Sequence, residues 1–216
     1  MKKSTYLLIT FIVALTAIFT SFFKFINWFY ILKPLTTVLI LLLPIIFIKL
    51  KLSKYALIII FGLCFCLIGD VLLMFDHLFI YGLASFLLGH ILFTYAFTTV
   101  NGFSYNFKPL VFLILFAIAM FFVLKDNLGQ LLIPVILYII CIVIMAWQSL
   151  NLYFLNNNKV YRLIAVGAIL FLISDAVLAY NMFVIKFSFS ELIILSTYWA
   201  AICFIALSAL YIPINK

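Results

Sequence analysis

The sequence predicts an all-α, polytopic membrane protein, and three observations carry that reading. Hydrophobic residues fill 70% of its 216 positions and charged residues 8%, where a soluble domain carries about 25% charged side chains. Apolar runs near the roughly 20 residues that a helix needs to cross a bilayer recur along the whole chain. The connections between them are brief and none has room for a soluble domain. Residues 1–216 therefore read as a single transmembrane domain with eight spans, at 5–23, 28–48, 55–75, 78–99, 109–124, 129–150, 160–180 and 190–212.

Each span has its own justification. The first follows Met1-Lys2-Lys3 and has no small-x-small cleavage site before Lys24, so it reads as a retained helix rather than a signal peptide. The second carries Trp28 near its start and Lys33-Pro34 within it. The third places Gly62, Cys66 and Asp70 at four-residue intervals on one face. The fourth follows the Asp76-His77 turn and bears a polar stripe of His90, Thr94 and Thr98. The fifth is short and extends to Phe107 if Lys108 snorkels to the headgroups. Trp147 near the end of the sixth is expected, like Trp28, to anchor at the interface. Asn156-Asn157-Asn158-Lys159 is the clearest polar loop. Beyond it the seventh span sets Gly167, Ala168, Phe171, Asp175 and Ala179 on one face. The eighth starts near Glu191 and holds Tyr198 and Trp199 at a depth where they are expected to line a pocket.

The net charge of +8 arises from cations between apolar runs, with no aromatic-interleaved basic patch, which excludes nucleic acid as a partner. With the N-terminus inside, the inner side holds Lys2, Lys3, Lys49, Lys51, Lys54, Lys108, Lys159, Arg162 and Lys216. The outer side holds Lys24, Lys125 and Lys186, with Lys33 just within the second span. That bias places both termini in the cytoplasm, and the inner membrane of a bacterial cell is the expected location. The cysteines Cys64, Cys66, Cys141 and Cys203 all lie in apolar runs and read as buried and inert. Neither a metal nor a cofactor is expected, because His77 and His90 offer no recognised ligand spacing with the aspartates.

Two segments read almost alike: Leu67-Ile68-Gly69-Asp70-Val71-Leu72-Leu73 and Leu172-Ile173-Ser174-Asp175-Ala176-Val177-Leu178. An ionisable group inside a span costs about 3 kcal/mol or more and persists where it is paired, solvated or used. Asp70 and Asp175 use two of only five acids this way. Both stand five residues before the outer ends of their spans as bounded above, roughly 7 to 8 Å deep. Lys33 lies at a similar depth and His90 deeper. Lys33-Pro34 and Ile133-Pro134 are 100 residues apart and the aspartates 105, which suggests a parallel four-plus-four repeat with spans three and seven facing each other. Asp70, Asp175 and His90 are thus the candidate catalytic residues, with Lys33 as the cation that neutralises one aspartate. Asn181 reads as a helix-end group.

Gly69-Asp70-x-x-Leu73, Phe79-x-x-Gly82-Leu83, Phe86-x-x-Gly89-His90 and Ser174-Asp175-x-x-Leu178-Ala179-x-Asn181-x-Phe183, together with Lys33-Pro34-Leu35, resemble the YhhN-like family of lysoplasmalogenases over about residues 28–205. That resemblance implies eight spans and hydrolysis of the vinyl ether bond of a lysoplasmalogen to a fatty aldehyde and a glycerophospho-alcohol. Lys33, Tyr198, Asn181 and Trp199 are then the substrate-binding candidates, and a lysophospholipid in the bilayer is the partner. The residues suit the chemistry. Vinyl ether hydrolysis starts with protonation of carbon, which needs an acid that is neutral near pH 7, and burial with a second carboxylate nearby favours the neutral form. The other aspartate, kept ionised by Lys33 or His90, would stabilise the oxocarbenium ion and orient the attacking water. The alternatives are a membrane transporter of a lipid or small molecule that titrates the pair, and a hydrolase of another ether or an epoxide bond. The sequence sets neither the oligomeric state nor which aspartate is the acid.

Overall fold

The computed structural model describes residues 2–48 and 51–212. Met1, Lys49 and Lys216, on which parts of the sequence reading rest, lie outside the described residues. Among those described there are eight α-helices and no strand: α1 (Lys3–Phe22), α2 (Ile26–Phe47), α3 (Lys54–Leu72), α4 (Phe79–Asn101), α5 (Lys108–Leu124), α6 (Leu132–Asn156), α7 (Lys159–Phe183) and α8 (Ser190–Ser208). With their short 3-10 extensions, all eight are long and apolar enough to cross a membrane. The chain is a multi-pass membrane protein. Backbone groups in hydrocarbon must be bonded within their own segment, and a run of helices meets that demand.

Two antiparallel pairs, α3 with α4 and α7 with α8, form the most closely packed parts of the bundle. Small residues permit the approach. A Cβ added to Gly167 of α7 would come within 2.9 Å of the Ala201 carbonyl oxygen of α8. Gly69 of α3 accommodates the ring of Phe86 of α4 in the same way, with a Cβ falling 2.6 Å from a ring carbon. Such contacts replace the hydrophobic drive that is missing between helices in lipid. α2 packs on α3 and α8, while α6 packs on α4 and α7, and these contacts enclose the core around Ile59, Phe93, Phe171 and Ile202. α5 is the least buried helix. It rests on α6 and α7, and within it only Pro109, Leu113 and Leu124 are buried.

Helix ends correct the equal spacing inferred for the aspartates. α3 stops at Leu72 because Met74 and Phe75 turn back with i→i−3 bonds to Val71 and Leu72, leading into the 3-10 turn Asp76–Leu78. α7 runs on to Phe183, where the Asn181 side-chain oxygen accepts the Phe187 N–H at 3.1 Å and fixes the connection to α8. Asp70 therefore stands two residues from the end of its helix and Asp175 eight. Trp147 of α6 is buried, and its indole N–H donates to the Asn106 carbonyl at 2.6 Å. Gln148 and Asn151 bond the backbone of Ser104 in the same loop, so this stretch of α6 clasps the α4–α5 connection.

Candidate active site

Asp70 is held from three directions. Its side chain is 3% exposed, and the Lys33 ammonium of α2 lies 3.9 Å from its Oδ1. One turn further along α2, Thr37 donates to Oδ2 at 2.6 Å. Lys33 and Thr37 are four residues apart and so share a helix face. Tyr198, near the middle of α8, donates to the same oxygen at 2.8 Å. Trp199 stands behind this group and donates its indole N–H to the Thr37 hydroxyl at 3.2 Å. A carboxylate with a cation and two hydroxyl donors has the partners that make burial of a charge tolerable.

Asp175 has fewer partners. The Tyr138 hydroxyl of α6 donates to its Oδ2 at 2.5 Å, and His90 Nε2 of α4 is 3.7 Å from that oxygen, too far for a hydrogen bond. His90 is fully buried, neither ring nitrogen has a hydrogen-bond partner, and its ring meets Phe171 and Tyr138 edge-on at 4.6 and 5.1 Å. The Asp175 side chain is 14% exposed, against 3% for Asp70, and no lysine or arginine pairs with it among the described residues. Asp70 of α3 thus takes partners from α2 and α8, and Asp175 of α7 from α6 and α4.

Both aspartates open on one cavity of about 420 Å³. Lys33, Tyr198 and Asn181 line it as well, and Lys24 and Glu191 stand exposed along its wall. His90 and Trp199 do not line it; His90 lies behind Asp175 without a hydrogen bond to it, and Trp199 reaches Asp70 only through Thr37. A narrow apolar slot of about 70 Å³ lies on the other side of Asp175, and Leu73, Phe86, Leu178 and Asp175 belong to both walls. Asp76 and His77 are exposed in their turn, away from either space. Among the described residues, no group of three or more histidine, cysteine, aspartate or glutamate side chains is placed to hold a metal ion.

Thr37 and Tyr138, which contact the aspartates directly, are absent from the sequence-derived candidates. The signal for both was present. Thr37 follows Pro34 by three residues and Tyr138 follows Pro134 by four, and those prolines mark equivalent places in the suggested repeat. Hydroxyls one turn past such landmarks fall on the faces that meet the aspartates.

The YhhN family model matches residues 28–209 of the chain. The chain is 32% identical over 151 residues to lysoplasmalogenase TMEM86B of Homo sapiens, covering 69% of this chain and 62% of that protein. It is 33% identical over 148 residues to the TMEM86B lysoplasmalogenase of Rattus norvegicus, with 68% and 58% covered. It is 30% identical over 159 residues to lysoplasmalogenase TMEM86A of Bos taurus, with 68% and 63% covered. The chain spans about three fifths of the length of the curated relatives it matches. No solved structure matches it.

Proposed function

The chain belongs to the YhhN family, and from that premise we propose that it is an intramembrane hydrolase cleaving the vinyl ether bond of lysoplasmalogens. The observation that carries this reading is a pair of unlike aspartates on one cavity, one with a cation and two hydroxyl donors and the other without a lysine or arginine partner among the described residues.

That inequality divides the labour. Asp175 is the acid, because no cation holds its charge and it borders the apolar slot. Asp70 is the standing carboxylate. Asp175 protonates the alkenyl carbon remote from the ether oxygen. The double-bond electrons form the new C–H bond, and an oxygen lone pair completes the oxocarbenium ion. Asp70 takes a proton from water as the water oxygen bonds to the cationic carbon, giving a hemiacetal. The carbon–oxygen bond to the glycerol then breaks as that oxygen takes the proton from Asp70, and the hemiacetal hydroxyl returns its proton to Asp175. One water is consumed, aldehyde and glycerophospho-alcohol leave, and both carboxyl groups are restored. His90 packs edge-on against Tyr138, the donor to Asp175, and acts as a positioning residue through that ring, while Trp199 positions Asp70 through Thr37.

Lys33, Asn181 and Tyr198 bind the polar part of the lysophospholipid in the cavity. Lys33 serves both the substrate phosphate and Asp70, a double duty that suits a ligand entering with its own negative charge. Both termini face the cytoplasm in the inner membrane of a bacterial cell, by the excess of cations on that side, so the cavity serves the outer leaflet.

Purified protein in detergent, incubated with lysoplasmenylethanolamine, tests the reading by assay of free aldehyde. Release by the wild type and its loss in both Asp70→Asn and Asp175→Asn is the expected result. No aldehyde from the wild type, or undiminished release from both variants, overturns it.

A further inference from the structure

The apolar slot beyond Asp175 does not end in the bundle. Ala117 of α5 and Ile139 and Val143 of α6 line it, and the same three residues line a second apolar space of about 520 Å³ in the groove between α5 and α6. No polar atom faces that groove surface except through Trp147, whose indole N–H is already spent on Asn106. Among the described residues that line the slot, Asp175 and Tyr138 are the ones with polar side chains, and Asp175 also borders the polar cavity. The slot therefore shares a wall with the cavity at Leu73, Phe86, Leu178 and Asp175, and a wall with the outer groove at Ala117, Ile139 and Val143.

From these shared walls we propose that the slot and groove form one conduit for a single hydrocarbon chain, which passes between them at Ala117. The inference rests on the reading of the site as one for a single-chain ether lipid, and extends it to a subsite and a specificity-determining residue. The slot is narrow and, apart from Asp175 and Tyr138, lined by apolar side chains, which suits one extended hydrocarbon chain. A long chain must pass between α5 and α6 or stay outside. The passage lies beside the helix with the fewest buried residues, so the wall facing α6 is also the one least fixed by the bundle. Ordinary lipid-facing grooves fill with whatever acyl chain is nearest. This one differs because the slot that shares its wall carries a carboxyl group that also borders the polar cavity, so a chain lying in both positions the atoms next to its polar end at Asp175.

Binding of saturated 1-O-alkyl glycerophosphoethanolamines separates chain recognition from catalysis, because these probes lack the vinyl ether and do not turn over. Isothermal titration of full-length protein in mild detergent compares a hexadecyl with a butyl probe. Ala117→Trp is expected to weaken the hexadecyl probe at least tenfold and leave the butyl probe within about twofold. Val143→Phe, on the opposite wall, should act in the same sense, which keeps the test open if Ala117→Trp fails to fold. Hexadecyl binding unchanged in either folded variant, or equal weakening of both probes, overturns the proposal, as would binding by the wild type without regard to chain length. Because these probes are not substrates, absence of aldehyde from the wild type would sink the hydrolase reading without touching this result.

Discussion

Tyr198 of α8 and Thr37 of α2 donate to the same oxygen of Asp70, at 2.8 and 2.6 Å. One carboxylate oxygen thus joins two helices that are 128 and 33 residues away in sequence. The protein supplies this acceptor with partners before any ligand arrives, which is what preorganisation of a standing charge requires.

Loss of one donor should therefore be felt in the rate. A hydrogen bond to a charged group contributes about 1.5–3 kcal/mol, so Tyr198→Phe is expected to lower kcat by about tenfold to a hundredfold with a smaller change in KM. Trp199→Phe removes a bond one step further back and should cost less than about threefold. Steady-state aldehyde release from the two variants decides between this gradient and equal effects.

Asp175 and its single donor give a second comparison. A positioned acid contributes typically about 10²- to 10⁴-fold, and Asp175→Asn should lose activity in that range. Tyr138→Phe keeps the acid and removes only its hydrogen bond, so it should retain measurable turnover. An inactive Tyr138→Phe that folds normally would move the tyrosine itself into the chemistry.

Lys33 and Asp70 make a stability prediction. Removing one member of a buried ion pair costs about 3–5 kcal/mol because a charge is left alone, and the 3.9 Å separation and 12% exposure of Lys33 place this pair at or below the lower end. Lys33→Met should lower the thermal midpoint, and Asp70→Asn in the same background should restore part of it without restoring activity. No recovery in the double variant would mean that the two side chains are not energetically coupled.

The close approach of α7 and α8 is testable without substrate. Gly167→Val puts a branched side chain where even a Cβ meets the Ala201 carbonyl oxygen at 2.9 Å, and overpacking of this kind costs about 1–3 kcal/mol. Gly89→Ala, whose Cβ would find the Gly62 carbonyl at 3.4 Å, should be milder. Thermal unfolding of the two variants gives the ranking.

Much of this architecture was legible in the sequence, because bilayer thickness imposes a length on every helix and charge is scarce enough to stand out. Eight spans emerged, with every bound except the end of the sixth within a few residues of a helix end, and Asp70, Asp175 and Lys33 announced themselves as charges in apolar surroundings. Hydroxyl groups did not. Thr37 and Tyr138 are polar enough to complete a site yet too mild to interrupt a hydrophobic run, so their spacing from Pro34 and Pro134 was the one signal that set them apart from the other threonines and tyrosines. The unequal ends of α3 and α7 were also hidden, since a 3-10 turn at Asp76–Leu78 and a side-chain bond from Asn181 are local events that hydropathy does not register. The end of α6 was hidden in the same way, since the helix continues past the expected residue 150 to Asn156.

The uneven fastening of the two carboxyl groups has a consequence for anyone seeking to block the site. A compound aimed at Asp70 must displace bonds from Thr37 and Tyr198 and compete with an internal lysine. Asp175 gives up at most one tyrosine bond and can be approached from a polar and an oily side at once. A tight-binding inhibitor is best built as an amphiphile whose basic or hydrogen-bonding centre lies a short way along its tail rather than at its head.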